Sequence, residues 1–194
     1  MLLGISVLLG LLAGLARGGR LEHLVAVRLR GWYLVFAALA IQFVIFLPQA
    51  ESLPATTSLR PVLHLGSFVL LFIVLALNWS QLGWGLRLIA LGALANALAI
   101  VANGGYMPVD PSAMAFVRGV DAAAAMAGDY SNTAYLANPS LVWLTDWIPV
   151  PLPSPLAGNV ISIGDLLIAA GGFVLVEKGL LGRLVNIDTL VKPR

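Results

Sequence analysis

The stretch Leu86–Asp110, LRLIALGALANALAIVANGGYMPVD, decides how the rest of the chain is read. From Leu86 to Val101 it carries one charge, Arg87 at its start, and one amide, Asn96, among Leu, Ile, Val, Ala and Gly. A helix with apolar residues on every side has no face to offer water, so the run reads as a segment buried in lipid. It stops at Asn103, Gly104 and Gly105, residues suited to ending a helix and reversing the chain. Asp110 followed by Pro111 then reads as an N-cap and first turn, opening a helix that runs to Gly128.

The same pattern recurs outward from this stretch. Apolar residues make up 60% of the 194 and charged residues only 10%, and the mean hydropathy is +0.96. A soluble domain carries roughly 25% charge, so a soluble bundle lacks the polar outer surface it needs. Five apolar runs, 1–16, 32–47, 62–77, 86–101 and 161–176, are read as spanning helices of one integral membrane domain covering residues 1–194. The expected fold class is therefore all-α: a polytopic membrane protein with five transmembrane helices. Trp32, Tyr33, Trp79 and Trp84 flank the runs, and Arg17 and Arg87 are placed to snorkel. Gly10 and Gly14 form a GxxxG pair that lets another helix approach closely.

Charge placement sets the expected orientation. Arg17, Arg20, Arg28, Arg30, Arg87, Lys178, Arg183, Lys192 and Arg194 fall on one side of the five runs, and only Arg60 and Arg118 on the other. The positive-inside rule then puts the amino terminus outside and the carboxyl terminus in the cytoplasm of a bacterial inner membrane. The first run lacks a basic segment before it and is read as a retained anchor rather than a cleaved signal. The chain has no cysteine and two histidines, so neither a thiol site nor a Cys or His metal site is expected, and no cofactor is implied. No basic stripe with interleaved aromatics points to nucleic acid. The expected partners are the lipid bilayer and either other membrane subunits or a lipid-anchored or membrane peptide.

Residues 102–159 form the longest connection, on the outer side, and are expected to be ordered and partly helical. A second short helix is expected over SLVWLTDWI, residues 140–148, with Leu144, Trp147 and Ile148 toward the interface and Trp143 and Trp147 in the outer aromatic belt. Pro149, Pro151, Pro153 and Pro155 predict an extended, stiff stretch that fixes Asp146 relative to Asp165. Gln42 and Asn96 read as interhelical hydrogen-bonding groups.

Asp165, at the head of the fifth run, supports two readings. Ser162 and Asp165 have the spacing of a capping box, in which a carboxylate meets the unpaired N–H groups and positive dipole end of a helix. The other reading joins Asp165 to Asp146, nineteen positions before it, and rests on a resemblance. The stretch from Leu144 to Gly172, with Ile168 and Gly171 three and six residues after Asp165, resembles the end of the aspartyl lipoprotein signal peptidases, whose last helix carries N-x-A-D-x-x-I-x-x-G. That resemblance implies catalysis by Asp146 and Asp165, with Ser162 in the place of the family's Asn. Asn103 and Asn159 are then candidates to orient water or substrate, and His64 and Arg60 to add polarity from the third run. NGGYMPV and NVISIGD are also similar to a family of small bacterial membrane proteins of unassigned function. The leading functional expectation is an accessory or scaffold subunit of a membrane assembly. The alternatives are an aspartyl peptidase-like enzyme and a small-solute transporter, the last disfavoured because no run carries a charge at its centre.

Overall fold

The computed structural model describes residues 2–45, 47, 54–80, 83–119, 133–151 and 158–184. Among these are seven α-helices: α1 (Leu2–Ala16), α2 (Leu21–Val25), α3 (Trp32–Ile45), α4 (Pro54–Leu77), α5 (Gly83–Ala102), α6 (Pro111–Arg118) and α7 (Ile163–Leu180). Four short strands accompany them: β1 (Met107–Pro108), β2 (Thr133–Ala134), β3 (Ile148–Val150) and β4 (Asn159–Ile161). The fold is all-α in its framework, and a helix lies over each of the five apolar runs.

Two of these helices are long and apolar enough to cross a membrane, α4 over Leu59–Leu77 and α5 over Gly83–Ala102. This is fewer than the five expected spans. α1 and α3 are apolar but only 15 and 14 residues long. At 1.5 Å per residue they reach about 22 Å against a hydrocarbon core of about 30 Å. α7 has 18 residues but carries Asp165, Glu177 and Lys178. The helix α4 begins before the expected Val62, with Pro54 at its first position, where a missing N–H costs nothing, and Pro61 inside it.

Glycine explains the packing. α5 and α7 run antiparallel at a distance set by two glycines on each. A Cβ on Gly92 would stand 2.4 Å from the Gly164 carbonyl, and one on Gly171 would stand 2.5 Å from the Gly85 carbonyl. On the other side of α7, α1 runs parallel to it through the expected GxxxG pair, Gly10 against Phe173 and Gly14 against Leu180. Arg17 at the end of α1 forms an ion pair with Glu177 of α7. α3 pairs with α4, and Gln42 Nε2 donates to Ser67 Oγ at 2.9 Å, an interhelical bond as expected. The α3–α4 pair joins the α1–α5–α7 group through two buried clusters. One is Leu75, Leu86 and Ala93, with Phe72 and Leu175 packed against it. The other is Ala99, Ile100 and Met107, with Leu65, Phe68 and Leu144.

Helix directions gather the charges at two ends. One end holds Arg17, Arg20, Arg28, Arg30, Arg87, Lys178 and Arg183. There the Arg87 guanidinium lies 4.8 Å from the Trp84 ring centroid and 5.9 Å from that of Trp79. The other end holds the segment between α5 and α7, in which α6 packs Ala113 and Met114 against Val109 and Val160.

Two expectations for that segment are corrected. α6 ends at Gly119 (φ 91°), not Gly128, because Gly119 takes a conformation open to glycine and stops the helix after two turns; residues 120–132 lie outside the described residues. Residues 140–148 do not form a helix beyond one 3-10 turn, Val142–Leu144. The chain leaves that turn extended, because the prolines that follow hold it so and the backbone finds partners in strands instead. β3 pairs antiparallel with β4, matching Ile148 to Ile161, Pro149 to Val160 and Val150 to Asn159. The proline-rich stretch is thus extended as expected over 148–150, but it is one arm of a hairpin; its remainder, 152–157, lies outside the described residues.

Candidate functional site

The local sequence makes the start of α7 a closed polar ring. Ser162, fully buried, accepts the Asp165 backbone N–H at Oγ (3.0 Å), and the Ser162 backbone N–H reaches Asp165 Oδ2 (3.4 Å). This is the capping box read from the sequence. Tertiary structure adds Asn96, just under two turns before the end of α5. Its Nδ2 donates to Asp165 Oδ1 at 2.8 Å, while Ser162 Oγ donates to Asn96 Oδ1 at 2.8 Å. A Cβ on Gly164 would stand 1.9 Å from Asn96 Oδ1, so only glycine at that position lets the amide enter the ring. Asn96 is the interhelical hydrogen-bonding group expected, but its partner was not legible. The i, i+7 glycines of both helices were the available signal for where it would dock.

Asp146 reaches the same end from a different element. Its backbone N–H donates to the Pro108 carbonyl (2.9 Å), and its carbonyl accepts the Asp110 N–H (2.8 Å). Asp146 is thereby stitched beside Val109 in a parallel bridge. Immediately beyond it, the β3–β4 hairpin leads into Ser162 and α7. The side chain is buried, 8% exposed, and Oδ1 has no hydrogen-bond partner among the described residues. Burial, reinforced by the charge of Asp165, pushes the Asp146 carboxyl up to about 8. The two aspartates are therefore electrostatically coupled. Asp165 accepts N–H donors at both oxygens, and Asp146 keeps its proton near neutral pH.

The other candidates are committed elsewhere. Asn103 Nδ2 donates to the carbonyls of Ala99 (2.7 Å) and Ser140 (2.9 Å), and its Oδ1 accepts the Ser140 N–H (2.8 Å). It clamps the connecting segment to the end of α5. His64, buried on α4, donates through Nδ1 to the Gly105 carbonyl at 3.1 Å and lies against Phe68. That serves the tight Gly104–Gly105 reversal, where Gly105 (φ 96°) presses on Pro61. Arg60 is buried one turn earlier on the same helix. Asn159 is half-buried and fixed by its pairing with Val150. Asp110 caps α6 as expected, accepting the Ala113 N–H at 2.7 Å. No group of three or more His, Cys, Asp or Glu able to hold a metal occurs among the described residues.

Fold and site together define a largely helical protein with two helices apolar enough for a membrane and a coupled pair of aspartates at one end of its bundle. The chain belongs to a bacterial family described as a family of unknown function (DUF5317), whose profile matches residues 26–177. It is similar to a Thermotoga maritima protein described as uncharacterized, 31% identical over 170 residues, which are 88% of this chain and 84% of that one. No solved structure matches it.

Proposed function

We propose that the chain is a single integral membrane unit of five spanning helices, amino terminus outside and carboxyl terminus in the cytoplasm, with an aspartate acid–base site at its outer face. The alternating directions of α1, α3, α4, α5 and α7 support five spans. The positive-inside rule supports the orientation, since seven described Lys and Arg residues gather at one end and two at the other. The short α1 and α3 are accommodated by local thinning of the bilayer and by the flanking Trp32, Tyr33 and Arg17.

The observation that carries the site is the buried Asp146 carboxyl, whose Oδ1 has no hydrogen-bond partner among the described residues and which is raised to about 8 by burial and the charge of Asp165. A carboxyl kept protonated beside an acceptor carboxylate can perform amide hydrolysis without a metal. Asp165 takes a proton from water as the water oxygen bonds to the carbonyl carbon. Asp146 gives its proton to the carbonyl oxygen. The tetrahedral intermediate then collapses: Asp165 passes the proton it took from water to the nitrogen, a hydroxyl of the intermediate returns a proton to Asp146, and the C–N bond breaks, releasing an acid and an amine. The resemblance of this part of the chain to the aspartyl lipoprotein signal peptidases supports the same reaction, on a lipid-anchored or membrane peptide. Asn96 is a positioning residue in this scheme, holding the Asp165 carboxylate through Oδ1.

A statine-type hydroxyl inhibitor, which mimics the tetrahedral intermediate, tests the site directly. It is expected to raise the Tm of the detergent-solubilised protein, and to raise neither that of Asp146→Asn nor that of Asp165→Asn. Equal shifts in all three proteins, or none in the wild type, would sink the acid–base reading. The second reading, an accessory or scaffold subunit, is favoured by the engagement of both Asp165 oxygens in the Ser162–Asn96 ring. It predicts co-purification of partners in fixed ratio and indifference to either substitution.

A further inference from the structure

The connection between α1 and α3, residues 17–31, is held against the ends of other helices, although it contains only a five-residue helix. The Arg20 N–H and His23 Nδ1 both donate to the Leu180 carbonyl, at 2.8 and 3.0 Å. Leu24 packs over Gly179, where a Cβ would stand 2.7 Å from Leu24 Cδ1. At the far side, Asn78 at the end of α4 is fully buried, accepting the Arg30 N–H at 2.9 Å and donating to the Arg30 carbonyl at 2.8 Å. The segment is rigid for reasons that do not involve Leu21 and Val25. Those two point away from the protein, 57% and 84% exposed. The same end of the bundle carries exposed Arg20, Arg28 and Arg183, with Arg87 over Trp84 and Trp79.

We infer that residues 17–31, with Arg87 and Arg183, form a docking platform for anionic phospholipid headgroups of the cytoplasmic leaflet. Leu21 and Val25 enter the acyl boundary and the arginines meet the phosphates. This rests on the membrane-spanning reading, which places the platform in the headgroup plane because it is bolted to the ends of α4 and α7. An exposed apolar pair on a segment fixed at the basic end of the bundle matches the boundary between acyl chains and anionic headgroups, and the indole rings at that end suit that depth. Glu22 and Glu177 are the described acids at this end; each is already paired, with Arg20 and Arg17.

Native mass spectrometry of the full chain in detergent, titrated with phosphatidylglycerol or phosphatidylcholine, tests the platform. The wild type is expected to retain phosphatidylglycerol preferentially. The triple variant Arg20→Gln, Arg28→Gln and Arg183→Gln should weaken that retention by about fivefold per charge removed. A second variant, Leu21→Ser with Val25→Ser, changes side chains the fold does not bury, and is expected to weaken retention of the same lipid. Equal retention of both lipids by the wild type, or unchanged preference in both variants, would overturn the platform. Displacement of the lipid by inorganic phosphate would replace it with a free-anion site. A chain that stays monodisperse in water without detergent would instead overturn the membrane reading beneath it.

Discussion

Asp146 makes stability depend on pH in a direction opposite to that of most carboxylates. In the unfolded chain the group titrates near 3.8, in the folded protein near 8. Below about pH 4 both states hold the proton and stability is fully present. Between about 4 and about 8 the unfolded chain has released it and the folded protein has not, so stability falls as pH rises, by up to about 1.4 kcal/mol per unit. Above about 8 the loss levels off. The Tm of the wild type is therefore expected to drop from pH 5 to pH 8, and that of Asp146→Asn to change much less, since Asn keeps the neutral shape. Parallel curves for the two proteins would show that the group is not protonated where the fold requires it. Asp165→Asn should move the Asp146 titration down, because it removes the charge that reinforces burial, without returning it to 3.8. Of this site, Ser162 and Asp165 were legible as a cap, because a capping box is local chemistry three residues apart. The coupling to Asp146 was only one of two open readings, because eighteen intervening residues can return the chain to many places.

The helices α5 and α7 depend on the absence of side chains where they cross. Gly164→Ala would drive a methyl group into Asn96 Oδ1 and against the Gly92 carbonyl, 2.7 Å away. Neither backbone can yield without separating the helices. The expected cost is about 1–3 kcal/mol or more from overpacking, together with loss of the Asn96–Asp165 bond. Gly66→Ala on α4, where nothing lies within 4 Å, provides the contrast and is expected to be neutral or slightly stabilising. Thermal unfolding of both variants in the same detergent checks the pair, and a Gly164→Ala as stable as Gly66→Ala would contradict the packing. The five helical runs were legible because apolar length is read residue by residue. Which glycines meet was not, since the shared i, i+7 spacing of Gly85 with Gly92 and Gly164 with Gly171 was the available hint, and Gly10 and Gly14 carry none. The expected helix over 140–148 failed for a related reason: Asp146 and Ile148 take backbone partners from Pro108, Asp110 and Ile161, which propensity along the chain does not contain.

At the scale of the molecule, five antialternating helices place Asn138 and Arg183 at opposite ends. The chain has no cysteine, so single Asn138→Cys and Arg183→Cys variants report their own exposure. In intact cells a membrane-impermeant maleimide is expected to label Asn138→Cys, and to label Arg183→Cys only after permeabilisation. The reverse pattern would invert the orientation, and labelling of both in intact cells would remove the membrane from between them. By itself the sequence determined the helical class, the places of the long helices, the Asp110 and Ser162 caps and the segregation of basic residues. These follow from apolar runs, capping spacing and charge position, all of which act over a few residues along the chain. Tertiary structure decided that α1 and α5 both pack on α7, that Asn96 completes the ring at Asp165, and that Asp146 is buried where the charge of Asp165 reaches it. Those outcomes depend on close approach between segments tens of residues apart, and the steric fit of glycine against carbonyl that selects them exists only once the helices have met.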